Sequence, residues 1–334
     1  MKYVTRRRFG YALVAVIALA LAAGITAAGF AAAEAVIENK YGFAPYDGSK
    51  GGDRIHFLNV GSSDAILLES CGKFALIDCG EDSDNPRGFA SLELEGYEDF
   101  VVRYLNEFCS DDNGVVELDF ILGTHAHSDH LGGFDTVIEE DNVRIGRAYL
   151  KRYYEDRIDD YEVENWDNLE VYGQTVYALN AKGVPIISEL EDVSFELGNY
   201  TVTIFNGREA EEGKKVGENE NSLAVLVEKN GYRVMLSGDM NNYDGDEDEV
   251  GAAVGRVNVL KLGHHGYRGS STANYVEALS PELAIQTTGK PVNLGVKLRV
   301  TFAKGAPIYS TVDYNGIILD ITDVDSPQLY KDIL

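Results

Sequence analysis

Basic residues and cysteines are both scarce in this chain of 334 residues. It holds 29 lysines and arginines against 55 aspartates and glutamates, so its net charge is −26. Such a surface repels polyanions and excludes broad nonspecific binding to nucleic acid, although it is compatible with a phosphodiester held directly by metal ions. Three cysteines are too few for a disulfide framework, and their spacing fits no zinc knuckle. Cys71 and Cys79 are either buried thiols or one disulfide.

Charge is also absent from a long stretch near the N-terminus. All four basic residues of this region lie within residues 1–8, and no charged residue occurs between Phe9 and Ala33. A basic start followed by an apolar run is typical of a signal peptide or a membrane anchor. It predicts that the rest of the chain lies outside the cytoplasmic membrane, either secreted or anchored. Residues 5–9 also resemble a twin-arginine export motif.

The remaining sequence is typical of one large globular domain. Apolar residues make up 45% and charged residues 25% of the chain, which is an ordinary composition for a folded protein. We predict a linker at residues 34–53, a domain at 54–322 and a C-terminal tail at 323–334. Alternating and apolar runs predict strands at 55–60, 65–69, 74–77, 118–122, 147–150, 193–197, 200–205, 222–228, 233–237, 257–262, 283–287, 307–310 and 317–321. Helical spacing predicts helices at 97–108, 134–140, 175–182 and 271–279. Two strand-rich halves, each with helices, predict an α+β fold with two packed sheets and helices outside.

Four potential metal ligands lie within six residues, directly after the apolar run at 118–122. They are His125, His127, Asp129 and His130. Imidazole and carboxylate groups are ligands for zinc, iron and manganese. The chain has six histidines, and three of them fall in this segment, while two more are adjacent at 264–265. A polar surface loop is the alternative, but this concentration of histidines favours a metal site.

The spacing His-x-His-x-Asp-His before Gly-Gly resembles the signature of the metallo-β-lactamase superfamily. Residues 77–80 resemble the early Asp-x-Gly turn of that family, residues 236–239 its later Gly-Asp, and residues 260–266 its last histidine motif. Residues 56–65 and 305–317 look like the hydrolase domain of ComEC-type competence proteins and their stand-alone secreted relatives. The resemblance covers roughly residues 54–322 and implies a four-layer αββα sandwich.

The resemblance implies two divalent metal ions, with zinc expected and manganese as the alternative. His125 and His127 would hold the first metal, and Asp239 would bridge the two. The second metal would be held by Asp129, His130, Asp239 and either His264 or His265, of which we choose His264. Such a pair of metals bridges a water, lowers its pKa and offsets charge that develops on the substrate.

Two further residues receive roles from the same resemblance. Asp78 is expected to orient a ligand histidine or the bridging water. His265, when it is not a ligand, is expected to donate a proton or contact a substrate oxygen. Asp129, Asp78 and His265 are therefore the predicted catalytic residues. Lys261 is the nearest basic residue in sequence to these motifs, and we expect it at the surface.

The sequence departs from the family pattern at three places. The opening motif has Asn59 and Ser62-Ser63 where relatives have Asp and Gln-Gly. No histidine occurs at residues 217–222, so the first metal lacks its third imidazole. Residues 291–296 also lack the histidine of a Gly-His-Pro segment. These departures predict weaker binding at one metal position or a changed donor to the leaving group.

The leading functional hypothesis is hydrolysis of phosphodiesters in nucleic acid, nucleotides or a phosphorylated envelope component. A lactone, β-lactam or other carbonyl ester is the alternative substrate, because the fold alone does not separate these reactions. A noncatalytic surface binding protein is the alternative of another class. The expected partners are a small or polymeric phosphodiester and, where the N-terminal segment is retained, the membrane. A stable complex with nucleic acid is not expected, and the sequence does not determine the oligomeric state.

Overall fold

The computed structural model describes residues 32–83 and 95–333. The predicted export segment therefore lies almost wholly outside the described residues. Residues 32–41 are helical and form α1. Across the two described ranges, no helix is both long and apolar enough to cross a membrane.

The described residues form eighteen strands and a set of mostly short helices. The strands are β1 Ala44–Pro45, β2 Asp53–Phe57, β3 Ala65–Ser70, β4 Lys73–Cys79, β5 Val116–Leu118, β6 Phe120–Gly123, β7 Val143–Ile145, β8 Ala148–Leu150, β9 Ile186–Ile187, β10 Ser194–Leu197, β11 Tyr200–Phe205, β12 Ala224–Lys229, β13 Tyr232–Leu236, β14 Val259–Lys261, β15 Leu283–Gln286, β16 Ile308–Ser310, β17 Ile317–Asp320 and β18 Gln328–Lys331. After α1, the helices are α2 Glu98–Cys109, α3 Ser128–Leu131, α4 Phe134–Glu139, α5 Asp160–Asn165, α6 Asn168–Lys182, α7 Asp246–Val254, α8 Ala273–Leu279 and α9 Leu294–Lys297, which continues as a π-helical segment at Leu298–Ala303. Single 3₁₀ turns occur at Glu155–Arg157, Glu218–Asn221 and Gly263–Gly266.

Most strands belong to two mixed sheets. The first sheet has nine strands in the order β1-β18-β17-β2-β3-β4-β6-β8-β9, and the second has seven strands, β10 to β16 in sequence order. In each sheet the consecutive hairpin strands pair antiparallel, as in β2-β3-β4 and β10 to β13. The strands joined through helices pair parallel, as in β4-β6-β8 and β13 to β16.

The main hydrophobic core contains side chains from both sheets. Ile55 and Phe120 of the first sheet belong to the same buried cluster as Val225 and Ile285 of the second. A second cluster joins Leu67 and Ile121 with residues of α2, α4 and α6, and a third joins Leu260 with residues of α7 and α8. Successive residues of a strand point to opposite faces, so each sheet carries apolar side chains on both sides.

The predicted mixture of helices and strands is confirmed, with local differences. The predicted strand at 118–122 is two strands, because β5 ends at Leu118 and β6 begins at Phe120 in a different sheet. Strands outside the predicted domain limits join the first sheet, since Ala44–Pro45 pairs with Gln328–Lys331 at its edge. All three cysteines are free thiols, so Cys71 and Cys79 do not form the disulfide considered above.

The motifs converge because they follow the carboxyl ends of neighbouring parallel strands. Asp78 lies at the end of β4, and the segment from His125 to His130 follows β6 in the same sheet. Asp239 follows β13 and the adjacent histidines follow β14, its parallel neighbour. Loops at the carboxyl ends of such strands are where open α/β sheets bind their ligands.

Candidate metal centre

The loop after β6 and the short helix α3 present the central ligands. His125 and His127 lie in the loop, while Asp129 and His130 lie in α3. The helix fits closely against the end of β4, where a Cβ atom added at Gly133 would lie 2.7 Å from the carbonyl oxygen of Cys79. This close approach requires glycine and explains the Gly132-Gly133 pair that follows the ligands.

Four residues surround a second metal position, on the side of the site nearest α3. The ring nitrogen Nε2 of His130 lies 3.2 Å from Oδ1 of Asp239. Nε2 of His265 lies 3.2 Å from Oδ2 of Asp129 and 3.4 Å from Oδ2 of Asp239. His130 Nε2 and Asp239 Oδ1 are buried and have no hydrogen-bond partner. Buried polar atoms normally have a hydrogen-bond partner. Two unpartnered ligand atoms at this separation therefore fit a divalent cation between them.

Buried groups behind this second position fix the orientation of its ligands. Asp78 accepts hydrogen bonds from the backbone N–H and the hydroxyl of Thr124, each at 2.8 Å, and lies 2.8 Å from Nδ1 of His130. Burial raises the pKa of the Asp78 carboxyl above its usual value. A carboxylate on the far nitrogen of an imidazole is the arrangement that holds a ligand histidine in one tautomer and orientation.

Lys261 is buried beside the site, and the expectation of a surface lysine is wrong. Its side chain is fully inaccessible and forms an ion pair with Asp64. Its ammonium group also donates a hydrogen bond of 3.0 Å to the carbonyl oxygen of Gly238, the residue before Asp239. Asp64 in turn lies 3.3 Å from Nδ1 of His265, and the Thr287 hydroxyl lies 3.0 Å from the same nitrogen. A buried charge of this kind requires a partner, and Asp64 supplies it.

The first metal position is built around His125 and His127. His125 Nε2 lies 3.0 Å from His127 Nδ1, so both nitrogens face one point. On the other side of the His127 ring, Nε2 lies 3.2 Å from a carboxylate oxygen of Glu162 in α5. The backbone N–H of Glu218 and the side-chain amide of Asn168 both donate hydrogen bonds to this carboxylate.

The segment before β12 brings a carboxylate, not an imidazole, near this first position. Glu218 is buried, and its side chain accepts hydrogen bonds from the backbone N–H of Ala126 at 3.1 Å and from the Asn221 amide at 3.0 Å. Both carboxylate oxygens therefore serve to hold the loops together. Burial raises the pKa of Glu218, which is the ordinary consequence of desolvating a carboxylate.

The two adjacent histidines both face Asp239 but differ in burial and in distance from its carboxylate. Both have left-handed backbone conformations, with φ of 48° at His264 and 50° at His265, and both side chains reach the Asp239 carboxylate. His265 is buried among the groups of the second position. His264 has a side chain that is 29% exposed, and its Nε2 lies 3.9 Å from Oδ2 of Asp239. Such strained backbone at successive non-glycine residues is typical of functional sites.

The charges of the site are strongly coupled. Burial opposes ionisation of Asp239, but the neighbouring charges of His265 and His130 outweigh it and hold the pKa of Asp239 well below its usual value. Burial likewise opposes protonation of His130 and His265, but Asp239 and the other carboxylates raise the pKa of both rings well above normal. The pKa of His125 is lowered well below normal by burial and by the charge of His130. The carboxylates are thus ionised, as metal ligands must be.

A cavity of about 150 Å³ opens onto these ligands. Its lining residues are Glu81, His127, Ser128, Asp129, Trp166, Asp167, Asn168, Asn219, Asp239 and His264. No lysine or arginine is among the lining residues that the structure describes. A larger cavity of about 320 Å³ lies elsewhere, around Asp192, Arg208 and Asp246, and none of the predicted site residues lines it. The chemistry therefore belongs to the smaller cavity.

All eight predicted site residues converge on this one region, but several of their neighbours were not predicted. Asp64 lies within the opening motif at residues 56–65, and this was the one sequence feature that could have identified it as part of the site. Glu162 and Asn168 come from α5 and α6, in a polar stretch with no ligand motif. Asn219 lies in the segment noted above for lacking a histidine.

The chain is similar to a protein-family model and to several known bacterial proteins. A family model described as a beta-lactamase superfamily domain matches residues 75–289. ComE operon protein 3 of Bacillus subtilis is 24% identical over 178 residues, which cover 53% of this chain and 21% of that protein. Recombination protein 2 of Haemophilus influenzae is 24% identical over 238 residues, which cover 71% of this chain and 24% of that protein. The chain therefore spans about a quarter or less of the length of these relatives.

Comparison with solved structures gives matches that include two bacterial proteins. The metallo-beta-lactamase fold protein YhfI from Bacillus subtilis is 11% identical with a TM-score of 0.46, and the match covers 77% of this chain and 96% of that one. The Zn²⁺-bound PqqB from Methylobacterium extorquens is 13% identical with a TM-score of 0.46, and the match covers 77% of this chain and 87% of that one.

Proposed function

Since the chain belongs to the metallo-β-lactamase superfamily and is ComEC-like, we propose that it is a metal-dependent hydrolase that cleaves phosphodiesters. The single observation that carries the metal requirement is the pair of buried, unpartnered atoms His130 Nε2 and Asp239 Oδ1, 3.2 Å apart. The curated relatives, among them a competence protein and a recombination protein by name, support a substrate related to nucleic acid.

The geometry supports a division of the ligands between two metal ions. We assign Asp129, His130, Asp239 and His265 to the second ion, because His265 lies closer than His264 to Asp129 and Asp239. We assign His125 and His127 to the first ion, with Asp239 shared. His264 lines the same cavity as His127, and we propose that it supplies the imidazole that residues 217–222 lack. The sequence interpretation gave His264 to the second ion and gave His265 a role toward the substrate, so this assignment differs from it at both histidines.

The metal ions, when bound, would lower the pKa of water and offset charge on the substrate oxygens. The protein residues contribute orientation and exclusion of water. Asp78 keeps the His130 ring in one orientation, and Glu162 does the same for the His127 ring. Asp129 is the ligand carboxylate with a partly exposed side chain, so it borders both the second position and the substrate cavity.

Two further parts of the proposal concern architecture and location. The core shared by both sheets, with helix residues in the other two clusters, supports a four-layer αββα order. The basic and then apolar segment at residues 1–33 supports export or anchoring by the membrane. Protease added to intact protoplasts should degrade the domain, whereas degradation only after lysis would place the domain inside the cell.

Two measurements test the enzymatic proposal. Elemental analysis after reconstitution with zinc or manganese should find up to two equivalents per chain, and less than half an equivalent of either would contradict the metal assignment. The loaded protein should then hydrolyse bis(p-nitrophenyl) phosphate and leave nitrocefin and simple lactones unchanged. Turnover of a carbonyl ester without turnover of a phosphodiester would identify the alternative substrate class. A loaded protein that hydrolyses none of them would be a binding protein.

A further inference from the structure

The only tryptophan of the chain, Trp166, lines the cavity beside the first metal position. It lies in the turn between α5 and α6, where its backbone N–H donates a hydrogen bond of 2.8 Å to the carbonyl oxygen of Glu162. Its ring centroid is 4.5 Å from that of His127, with the two planes at 70°. The next two residues, Asp167 and Asn168, are both buried, so the turn is fixed on either side of the indole.

Asn219, another residue of the cavity lining, carries an unsatisfied hydrogen-bond acceptor. Its side-chain oxygen Oδ1 is buried and has no hydrogen-bond partner in the described part of the chain. An amide oxygen in this state costs free energy unless a donor reaches it, so its presence in a cavity wall points to a ligand that carries an N–H or O–H group.

The charge of the cavity limits what else the ligand can carry. Four carboxylate residues line it, Glu81, Asp129, Asp167 and Asp239, and no basic residue does so within the described ranges. Metal ions at the site would offset one phosphate, but a second anionic group in this cavity would meet only negative charge. The described lining therefore favours an uncharged group in the part of the substrate that extends past the metals.

From these three observations we infer that Trp166 and Asn219 form a subsite for an uncharged, planar heteroaromatic group with an N–H donor. A nucleobase attached to the scissile phosphodiester has this chemistry. Bases stack on aromatic side chains with little regard to their identity, and the indole offers such a surface beside the ligands. The inference rests on the proposed function, because it names the group joined to the phosphate. It favours small nucleotide esters over long polyanions.

The first test measures binding and does not depend on turnover. The full chain, loaded with zinc, is titrated with adenosine monophosphate or with ribose phosphate while the fluorescence of its single tryptophan is recorded. Adenosine monophosphate should quench the emission to a saturable limit, and ribose phosphate at the same concentrations should leave it unchanged. The Asn219→Leu variant should weaken the quenching by adenosine monophosphate. Equal responses to the two ligands, or no response to either, would overturn the subsite.

The second test uses two substrates that share a leaving group. Thymidine p-nitrophenyl phosphate and methyl p-nitrophenyl phosphate differ in the second group on the phosphate, which is a nucleoside with its base in one and a methyl group in the other. The Trp166→Ala variant should lose about tenfold of the preference for the thymidine ester, through KM and not kcat, whereas Trp166→Phe should keep most of it. Tyr161→Ala, in the helix α5 that precedes Trp166 but outside the cavity lining and 66% exposed, is the matched control.

The outcomes separate the subsite from the proposed function. A wild-type protein that cleaves both esters equally, with a ratio that Trp166→Ala does not change, would refute the subsite and leave the phosphodiesterase intact. An equal loss for both esters in Trp166→Ala, with lowered zinc content, would assign the indole a structural role beneath His127. A wild-type protein that cleaves neither ester would refute the function, and the fluorescence titration would still decide the binding site.

Discussion

The two proposed metal positions share Asp239 but differ in how completely the protein surrounds them. The second position brings together Asp129, His130, Asp239 and His265, and buried groups hold the rear nitrogens of both rings. The first position has His125 and His127 and opens onto the cavity. Behind its rings lie the Glu162 carboxylate, 3.2 Å from Nε2 of His127, and the Thr124 hydroxyl, 3.0 Å from Nδ1 of His125. The two positions therefore differ in the number of protein groups around them, and we call the one with four groups the enclosed site and the one with two imidazoles and Asp239 the open site.

Because of this difference, the loss of a ligand at one position need not weaken metal binding at the other. The missing imidazole falls at residues 217–222, on the side of the first position, and Glu218 there is engaged in holding loops. The support behind the second position comes from other strands, β4 through Asp78 and β14 through Lys261. A tightly held second metal and an exchangeable first metal are what this asymmetry predicts.

The largest expected effect is that of Asp129→Ala, which removes a ligand of the enclosed position. Activity toward bis(p-nitrophenyl) phosphate should fall by about a hundredfold or more, since the site loses preorganised charge at the reacting centre. The fold should persist, because the side chain is 24% exposed at the cavity edge and belongs to none of the three hydrophobic clusters. Turnover is measured together with the thermal melting temperature. A variant that melts normally and keeps near-wild-type turnover would remove Asp129 from the site.

A graded removal of metal tests the asymmetry directly. With increasing chelator, one equivalent of metal should leave at low concentration and the second only at a concentration at least about tenfold higher. The matched variants His127→Ala and His265→Ala should each retain about one equivalent, but only the His265→Ala protein should lose that equivalent at low chelator. Elemental analysis of the protein after gel filtration gives the counts. Loss of both metals in a single step from the wild-type chain would contradict two unequal positions.

Much of this centre was predictable from sequence because its ligands sit in short motifs that end apolar strands. The segment from His125 to His130 and the pair at 264–265 needed no knowledge of distant contacts. The first segment follows β6 of the first sheet and the pair follows β14 of the second, so the packing of the two sheets brings the two motifs together. The choice between His264 and His265 was not predictable, because it depends on the left-handed backbone at both residues.

Most of the residues that support the ligands from behind could not be predicted from the sequence. The sequence alone predicts a surface position for Lys261, because the burial of its neighbours and its ion pair with Asp64 are visible only in the structure. Glu162 lies in a helix whose residues are mostly polar, and its contact with His127 spans a sequence separation of 35 residues. Trp166 could not be predicted as a site residue either, because its contact with His127 is also distant in sequence. Ligand types are encoded locally, whereas the residues that orient them are chosen by the tertiary fold.

A paired substitution of these supporting carboxylates should sharpen the comparison. Asp78→Asn should lower the metal affinity of the second position by about ten- to a hundredfold, and Glu162→Gln should do the same at the first position. Each change keeps the shape of the side chain and alters the hydrogen bond to one imidazole. Competition with a chromogenic chelator measures both affinities in each variant. If Glu162→Gln weakened the tighter site, the assignment of His127 to the first position would be wrong.

The smallest expected effect is a difference in how the two affinities depend on pH. Carboxylates raise the pKa of both His130 and His265 well above normal, although burial opposes it, so a metal entering the second position must displace protons from two rings. At the first position the pKa of His127 is raised and that of His125 is lowered well below normal, so protons compete less with a metal there. As pH falls, the metal affinity should therefore decrease more steeply at the second position than at the first. The folding stability of the metal-free protein should depend on pH in the opposite direction. A raised histidine pKa gives stability that is present below the usual histidine pKa and lost as pH rises through the raised value. Chelator competition at several pH values near neutrality, with thermal melts of the metal-free chain beside it, measures both trends. Equal slopes for the two metals would mean that the two positions hold the same number of protons, and the distinction between an enclosed and an open site would then rest on geometry alone.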